Sequence, residues 1–249
     1  MKNIIFSLGL LLFFTQCEKP SDCIKTTGPL TLKVLTDLSF DKIIVNKGIA
    51  LVITQGPDYK VEIVTGQNLI NDIEVKVLNR TLTLEDNTSC NWVRNYGQTT
   101  VYVTAPNLTD IYSKTELNIT ATTTLTYPYL HLVGMDETDG YKGVGTGDFI
   151  LNLNNQMLLV ENNDVSRYFL TGTTHNLTVK FYEYEGKFIG QNLLADTISI
   201  YHRGSNDMFL HPINSLTGGI YNIGNVYCNN YPTAVPEVAQ PYRGKLFFY

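Results

Sequence analysis

Charge is scarce in this chain. Lys, Arg, Asp and Glu supply 16% of 249 residues and the formal net charge is −5. No basic stripe or block of like charge occurs, which excludes nucleic acid as a partner. Helical periodicity is missing along the whole sequence, so an all-β chain is expected. No apolar run reaches the roughly twenty residues that a membrane-spanning helix needs. Cysteine occurs four times, without the Cys-x-x-Cys or His-Cys spacings of a metal site, so neither metal nor other cofactor is expected. Tryptophan occurs once, against sixteen tyrosines.

What apolar run there is lies at the start. Ile4 to Phe14 follows Lys2 and leads into Thr15-Gln16-Cys17, then into polar residues from Glu18 onward. Residues 1–16 therefore read as a secretion signal. A cysteine at this place resembles a bacterial lipoprotein signal, with Cys17 the lipidated residue, although Phe14, Thr15 and Gln16 depart from the usual Leu and small residues. Residues 17–29 read as the lipidated N-terminus and a linker, and 30–249 as one domain. The membrane would then be a partner through the N-terminal lipid alone.

Strand alternation begins at once in that domain. Leu30 to Leu32, Ile43 to Val45, Ile49 to Ile53, Val61 to Val64, Ile73 to Val77 and Leu82 to Leu84 are separated by turns holding Gly48, Gly56, Gly66 and Asn79, residues that tolerate positive φ. Further on a longer period emerges. Leu158, Val179, Ile200 and Tyr221 are evenly spaced, as are Val160, Phe181, His202 and Ile223. About twenty residues per repeat with period-2 alternation predicts parallel β-solenoid coils, each covering the apolar face of the last. Phe169, Phe188 and Phe209 fall midway and suggest two strands per coil with a second ladder. His202 occupies an inward column and reads as a packed core residue.

The outward positions are the candidate chemistry. Arg203, placed one coil after Tyr182 and two after Glu161, defines with Tyr182 and Tyr201 a face suited to sugar contact, since tyrosine offers a ring and a hydroxyl together. Glu183 and Glu185 could be drawn as a glycosidase pair, but the alternation fails after Phe181 and points to solvated acids in a turn. Asp136, Glu137 and Asp139 lack a repeated ligand frame for Ca²⁺ and read as a solvated turn too. No catalytic set is found.

Several segments together resemble a known family. Val61 to Ile73 with Gly66-Gln67-Asn68-Leu69-Ile70, Ser89-Cys90-Asn91-Trp92-Val93-Arg94-Asn95-Tyr96, Val101 to Ile111 and Gly224-Asn225-Val226-Tyr227 are similar to the head GIN domain of auto-transporter-type adhesins, over about residues 38–249. Tyr112 to Thr115 and Gln240 to Leu246 depart from the family's Ser/Gly-rich and Gly-rich segments. The resemblance implies a right-handed parallel β-helix, a Bacteroidetes-type envelope address at the outer membrane or cell surface, or else in the periplasm, and a Cys23–Cys90 disulfide, leaving Cys228 as a free thiol. It brings no catalytic residues. The expectation is a non-catalytic adhesive or glycan-binding protein, with surface glycan or an envelope protein as partner. The alternatives are a carbohydrate-active enzyme on the same fold and a scaffold without a small ligand.

Overall fold

The computed structural model describes residues 20–249 apart from 89 and 139. The signal, Cys17 and Asp139 lie outside the described residues. Among these, one short turn of helix, Pro20–Cys23, precedes an all-β chain. The N-terminal strands are β1 (Leu30–Leu35), β2 (Lys42–Asn46), β3 (Ile49–Gln55), β4 (Lys60–Gly66), β5 (Ile73–Leu78), β6 (Thr81–Asp86), β7 (Thr99–Ala105), β8 (Asp110–Lys114) and β9 (Ile119–Ala121). There follow β10 (Tyr129–Gly134), the small hairpin β11 (Glu137–Thr138) and β12 (Tyr141–Lys142), and four long strands, β13 (Phe149–Asn162), β14 (Arg167–Phe181), β15 (Lys187–His202) and β16 (Met208–Ile220). Three short strands close the chain, β17 (Val226–Cys228), β18 (Glu237–Ala239) and β19 (Leu246–Phe248). All but β11 and β12 join one seventeen-stranded sheet.

That sheet is mixed. β5 pairs antiparallel with β6, and β4 pairs antiparallel with both β1 and β7. The uniformly parallel stack expected from the period therefore fails in the N-terminal third. The cause is local for β5 and β6: Asn79 and Arg80 both take positive φ, 48° and 62°, the backbone of a tight hairpin turn that forces neighbouring strands to run in opposite directions. From β8 onward the order β8, β10, β13, β14, β15, β16 is parallel throughout. β17 and β18 cap opposite ends of β16, and β19 pairs with β17.

Parallel register corrects the columns read from the sequence. Leu158 pairs with Leu177, Leu177 with Ile198 and Ile198 with Leu216, while Val160, Val179, Ile200 and Gly218 form the next file. Only the steps from Val179 to Ile200 and from Phe181 to His202 match the even spacing. The connections between strands differ in length, so the repeat is not constant, and Tyr221 and Ile223 lie past the end of β16 as exposed residues.

The second predicted column also dissolves. Along β15 the buried positions are Phe188 and Gly190, then Leu193 and Ala195, then Ile198, Ile200 and His202. Alternation changes phase twice, so one continuous strand contains three straight runs joined by corners, not two strands per coil. Register shifts beside Phe169, Ile189 and Ala195 mark such corners. Phe188 points inward, whereas Phe209 lies outside, stacked on Tyr227 at 5.4 Å, which in turn stacks on Phe247 at 5.1 Å. Inside, Phe149 stacks on Tyr168 at 4.8 Å and nearly coplanar, and Tyr168 meets Phe181 at 5.7 Å.

One apolar cluster runs from Phe40 to Cys228 through strands β2 to β10 and β13 to β17. Each fully buried Leu, Ile, Val or Phe contributes about 1.5–3 kcal/mol relative to exposure. His202 belongs to this interior, edge-on to Phe181 at 6.4 Å. Burial pushes its pKa down to about 4, so the ring is neutral there. Gly172 and Gly218 take φ of 106° and 118°, and a Cβ on either would sit 2.0 Å from a carbonyl oxygen of the preceding strand, Leu153 or Ile200. Close approach of neighbouring strands depends on their having no side chain.

Candidate functional site

The pleat of the parallel strands fixes what faces outward. Glu161 lies between the inward Val160 and Asn162, Lys180 between Val179 and Phe181, and Tyr201 between Ile200 and His202. Glu161 is in register with Lys180, and Lys180 with Tyr201. One row nearer the strand starts, Lys42 pairs with Asp110 and Asp110 with His131. Even spacing of the sequence places Arg203 two coils after Glu161. It is Tyr201 that occupies that place, because the step from β13 to β14 is shorter than the one from β14 to β15.

These residues form a ladder of alternating basic and acidic side chains across five strands. Lys42 Nζ is 3.4 Å from Asp110 Oδ2, His131 Nδ1 is 3.1 Å from Asp110 Oδ1, His131 Nε2 is 2.9 Å from Glu161 Oε2, and Lys180 Nζ donates to Glu161 Oε1 at 3.2 Å. Thr109 Oγ1 donates to Asp110 Oδ2 at 2.6 Å. Burial works against charge on His131, yet the hydrogen bond to Asp110 and the close carboxylate of Glu161 outweigh it and raise its pKa. The same contact with His131, set against burial and helped by Tyr182 and Lys180, takes Glu161 down to about 2. Burial opposes the charge on Asp110 as well, but His131 and Thr109 hold its pKa below the usual carboxylate value.

An aromatic ladder starts from the same carboxylate. The Tyr182 hydroxyl donates to Glu161 Oε1 at 2.6 Å, and burial together with that bond raises its pKa. The Tyr182 ring lies 5.7 Å from Tyr201, and Tyr201 lies 5.0 Å from Tyr221. Arg203 is exposed, following His202 at the edge of the row, with its backbone N–H on Phe181 O at 2.8 Å. The structure thus brings Tyr182 and Tyr201 into ring contact with each other, adds Tyr221 to them, and sets Arg203 at the margin.

Chemically this arrangement holds charge fixed. Both carboxylates are engaged on opposite nitrogens of one imidazole, so they do not converge on a common point, and no group of three metal-ligating side chains occurs among the described residues. Glu183 and Glu185 are exposed in the connection after β14, where Tyr184 takes a φ of 60°. Asp136 accepts bonds from Asn163 Nδ2 at 2.6 Å and from the Glu137 backbone at 2.8 Å. Two clefts of about 290 and 340 Å³ lie elsewhere, around Arg94 and Glu116 and around Lys114 and Lys142. The tyrosine face is a ladder rather than a pocket.

Asp110, His131, Lys42 and Lys180 were missed in the sequence. Their signal was present, as a polar residue between inward apolar ones in Leu130-His131-Leu132 and Val179-Lys180-Phe181, but only register shows that they meet.

At the N-terminal end Cys23 and Cys90 form a disulfide with Cα atoms 4.5 Å apart. The segment read as linker is docked: Lys25 pairs with Asp72, Asn68 Nδ2 donates to Thr26 O at 3.0 Å, and Gly66 makes room for Thr27. Cys228 is free and buried, with its thiol pushed up to about 12. A structural disulfide of this kind belongs to an oxidising, extracytoplasmic compartment.

Solved structures share the fold. A putative adhesin from Bacteroides fragilis aligns with a TM-score of 0.76 at 21% identity, over 90% of this chain and 99% of that one. Putative adhesins from Parabacteroides merdae and Parabacteroides distasonis align at 0.64 and 0.65, with 15% and 14% identity, over 90% of this chain and 99% of each of theirs. No curated protein matches the sequence. The family model described as "Putative auto-transporter adhesin, head GIN domain" matches residues 39–232, and the chain belongs to that family.

Proposed function

We propose that this is an exported, lipid-anchored, non-catalytic protein of the outer membrane or cell surface, whose parallel strands wind as a right-handed β-solenoid and whose outward face binds glycans. The observation that carries the glycan reading is the file Tyr182, Tyr201, Tyr221, with rings 5.7 and 5.0 Å apart. Consecutive rings at the ends of consecutive strands offer a stacking surface that extends along the fold, suited to a chain of sugar units rather than to a small enclosed molecule. Glu161 holds the first ring in place through the Tyr182 hydroxyl. Arg203 at the margin supplies a planar fork of donors for hydroxyl or carboxylate oxygens.

The parallel order β8, β10, β13, β14, β15, β16, with corners inside β15, supports a winding coil. A non-catalytic role is supported by Asp110 and Glu161, both committed to His131. Anchoring rests on Cys17 and the run before it, and export is supported by the disulfide. The test is a screen of the mature chain on a glycan array, with mass spectrometry for cleaved products. Binding without cleavage supports this reading. Cleavage would replace it with the carbohydrate-active enzyme, and silence in both assays would favour a protein partner or a scaffold.

A further inference from the structure

We infer that the rim formed by Ile24, Trp92, Val93 and Tyr96 rests in the surface of the bilayer to which the chain is tethered. These four large side chains are 66, 78, 56 and 81% exposed. They are carried on two segments laced into one unit. Cys23 and Cys90 are bridged, and the Trp92 backbone N–H donates to Cys23 O at 2.9 Å. The Arg94 guanidinium donates to the carbonyls of Asp22, Lys25 and Cys90 at 2.8, 2.8 and 3.0 Å. Asn91 Oδ1 accepts the Arg94 backbone N–H at 2.8 Å. Exposure is thus combined with fixation, which a loop with no partner does not need.

The chemistry of the rim matches a lipid headgroup boundary better than a charged partner. Arg94 is engaged in holding the loop and Lys25 is paired with Asp72, so apart from the neutral Thr26 and Asn95 the exposed side chains of the two segments are aliphatic and aromatic. Tryptophan and tyrosine, apolar in body with one polar tip, concentrate at that boundary in membrane proteins. The occupant follows from where the chain leads. Cys17 precedes Cys23 by six residues, and extended backbone covers at most about 3.6 Å per residue, or about 20 Å in all. A lipid on Cys17 would therefore hold the Cys23–Cys90 bridge close above the membrane, with the rim at the level of the headgroups. This rests on the anchoring reading given above. Because the attraction is apolar, it requires no anionic lipid.

Trp92 is the chain's one tryptophan, so its fluorescence reports the rim alone. The lipidated mature protein is reconstituted in phosphatidylcholine vesicles, with and without brominated acyl chains, and lipid on the Cys17 peptide is measured by mass in the same preparation. The expected result is a blue-shifted Trp92 emission, shielding from iodide, and about two-fold quenching by the brominated chains, all lost in an Ile24→Asp/Tyr96→Asp variant that keeps its lipid. A lipidated protein whose Trp92 stays as iodide-accessible as in the vesicle-free Cys17→Ser chain would overturn the inference. Should Cys17 carry no lipid, the tether fails by itself, and titrating the Cys17→Ser chain with the same vesicles still decides the rim: a blue shift upholds it and none overturns it. A blue shift that grows with protein concentration without vesicles would assign the rim to a second copy and also overturn it.

Discussion

Tyr182 donates its hydroxyl to Glu161 at 2.6 Å, and so the aromatic ladder starts from a carboxylate of the charge ladder. The residues that arrange the tyrosines are thereby distinct from those that would touch a ligand, and the two roles can be separated by mutation. Glu161→Ala leaves His131 and Lys180 without their shared acceptor in a site that is largely closed to water. It should lower the unfolding free energy by about 3 kcal/mol and loosen Tyr182, as measured by urea denaturation. A double-mutant cycle with His131→Asn should return a coupling of about 1–3 kcal/mol between the two positions.

The same contacts set a pH dependence. His131 has a folded pKa above its ordinary 6.5, so its contribution is complete below that value and fades as pH rises through the raised one. Glu161 falls from 4.5 to about 2, so its contribution is complete above 4.5 and is lost as pH drops toward 2. The contributions of this pair are together complete between these ordinary values and decline on both sides. His202, held at about 4, takes stability away as pH falls from 6.5 toward 4, so the pair's window is read from the difference between the native and His131→Asn curves. In His131→Asn the alkaline decline due to the imidazole should vanish, and the acid limb should move to higher pH because Glu161 loses its strongest partner. Unfolding curves across pH for both proteins check this.

The Cys23–Cys90 bridge closes a sequence separation of 67 residues. Its removal should cost about 2–4 kcal/mol, mostly through the freed unfolded chain, while β13 to β16 keep their strand content. Thermal unfolding of the Cys23→Ser/Cys90→Ser variant, with circular dichroism, measures both.

Gly218→Ala would place a methyl group 2.0 Å from Ile200 O in a backbone of positive φ. A loss of about 2–3 kcal/mol or failure to fold is expected. Gly140 also has positive φ, but nothing lies within 4 Å of its Cβ position. Gly140→Ala should therefore cost about 1 kcal/mol, the backbone term alone. Comparing the two in urea separates strand spacing from φ strain.

Much of this was legible in the sequence because alternation is a local property. Runs such as Ile49 to Ile53 or Leu158 to Val160 announce a strand and its inner face within a few residues. Register is not local. A turn one or two residues longer slides every later column, which is why Val179 meets Ile200 as the spacing suggests while Leu158 meets Leu177 instead of Val179. Corners inside a strand flip the inward set, so Phe188 and Phe209 fell on different faces despite their spacing. The charge ladder joins Lys42 to Lys180 through five strands, and no short-range pattern links residues so far apart. The neighbouring places of Tyr182 and Arg203 were legible because they follow Phe181 and His202, a pair whose register the period gave correctly.

The most direct test takes the glycans retained on the array and measures their affinity for the native chain and for Tyr201→Ala, with the unfolding midpoint as control. Tyr201 is the middle ring, in contact with both Tyr182 and Tyr221. The account predicts that Tyr201→Ala weakens binding about ten-fold, the loss of a central aromatic contact, with the fold retained and no polymer cleaved by either protein. Unchanged affinity in a folded Tyr201→Ala, or a shortened polymer, would contradict it.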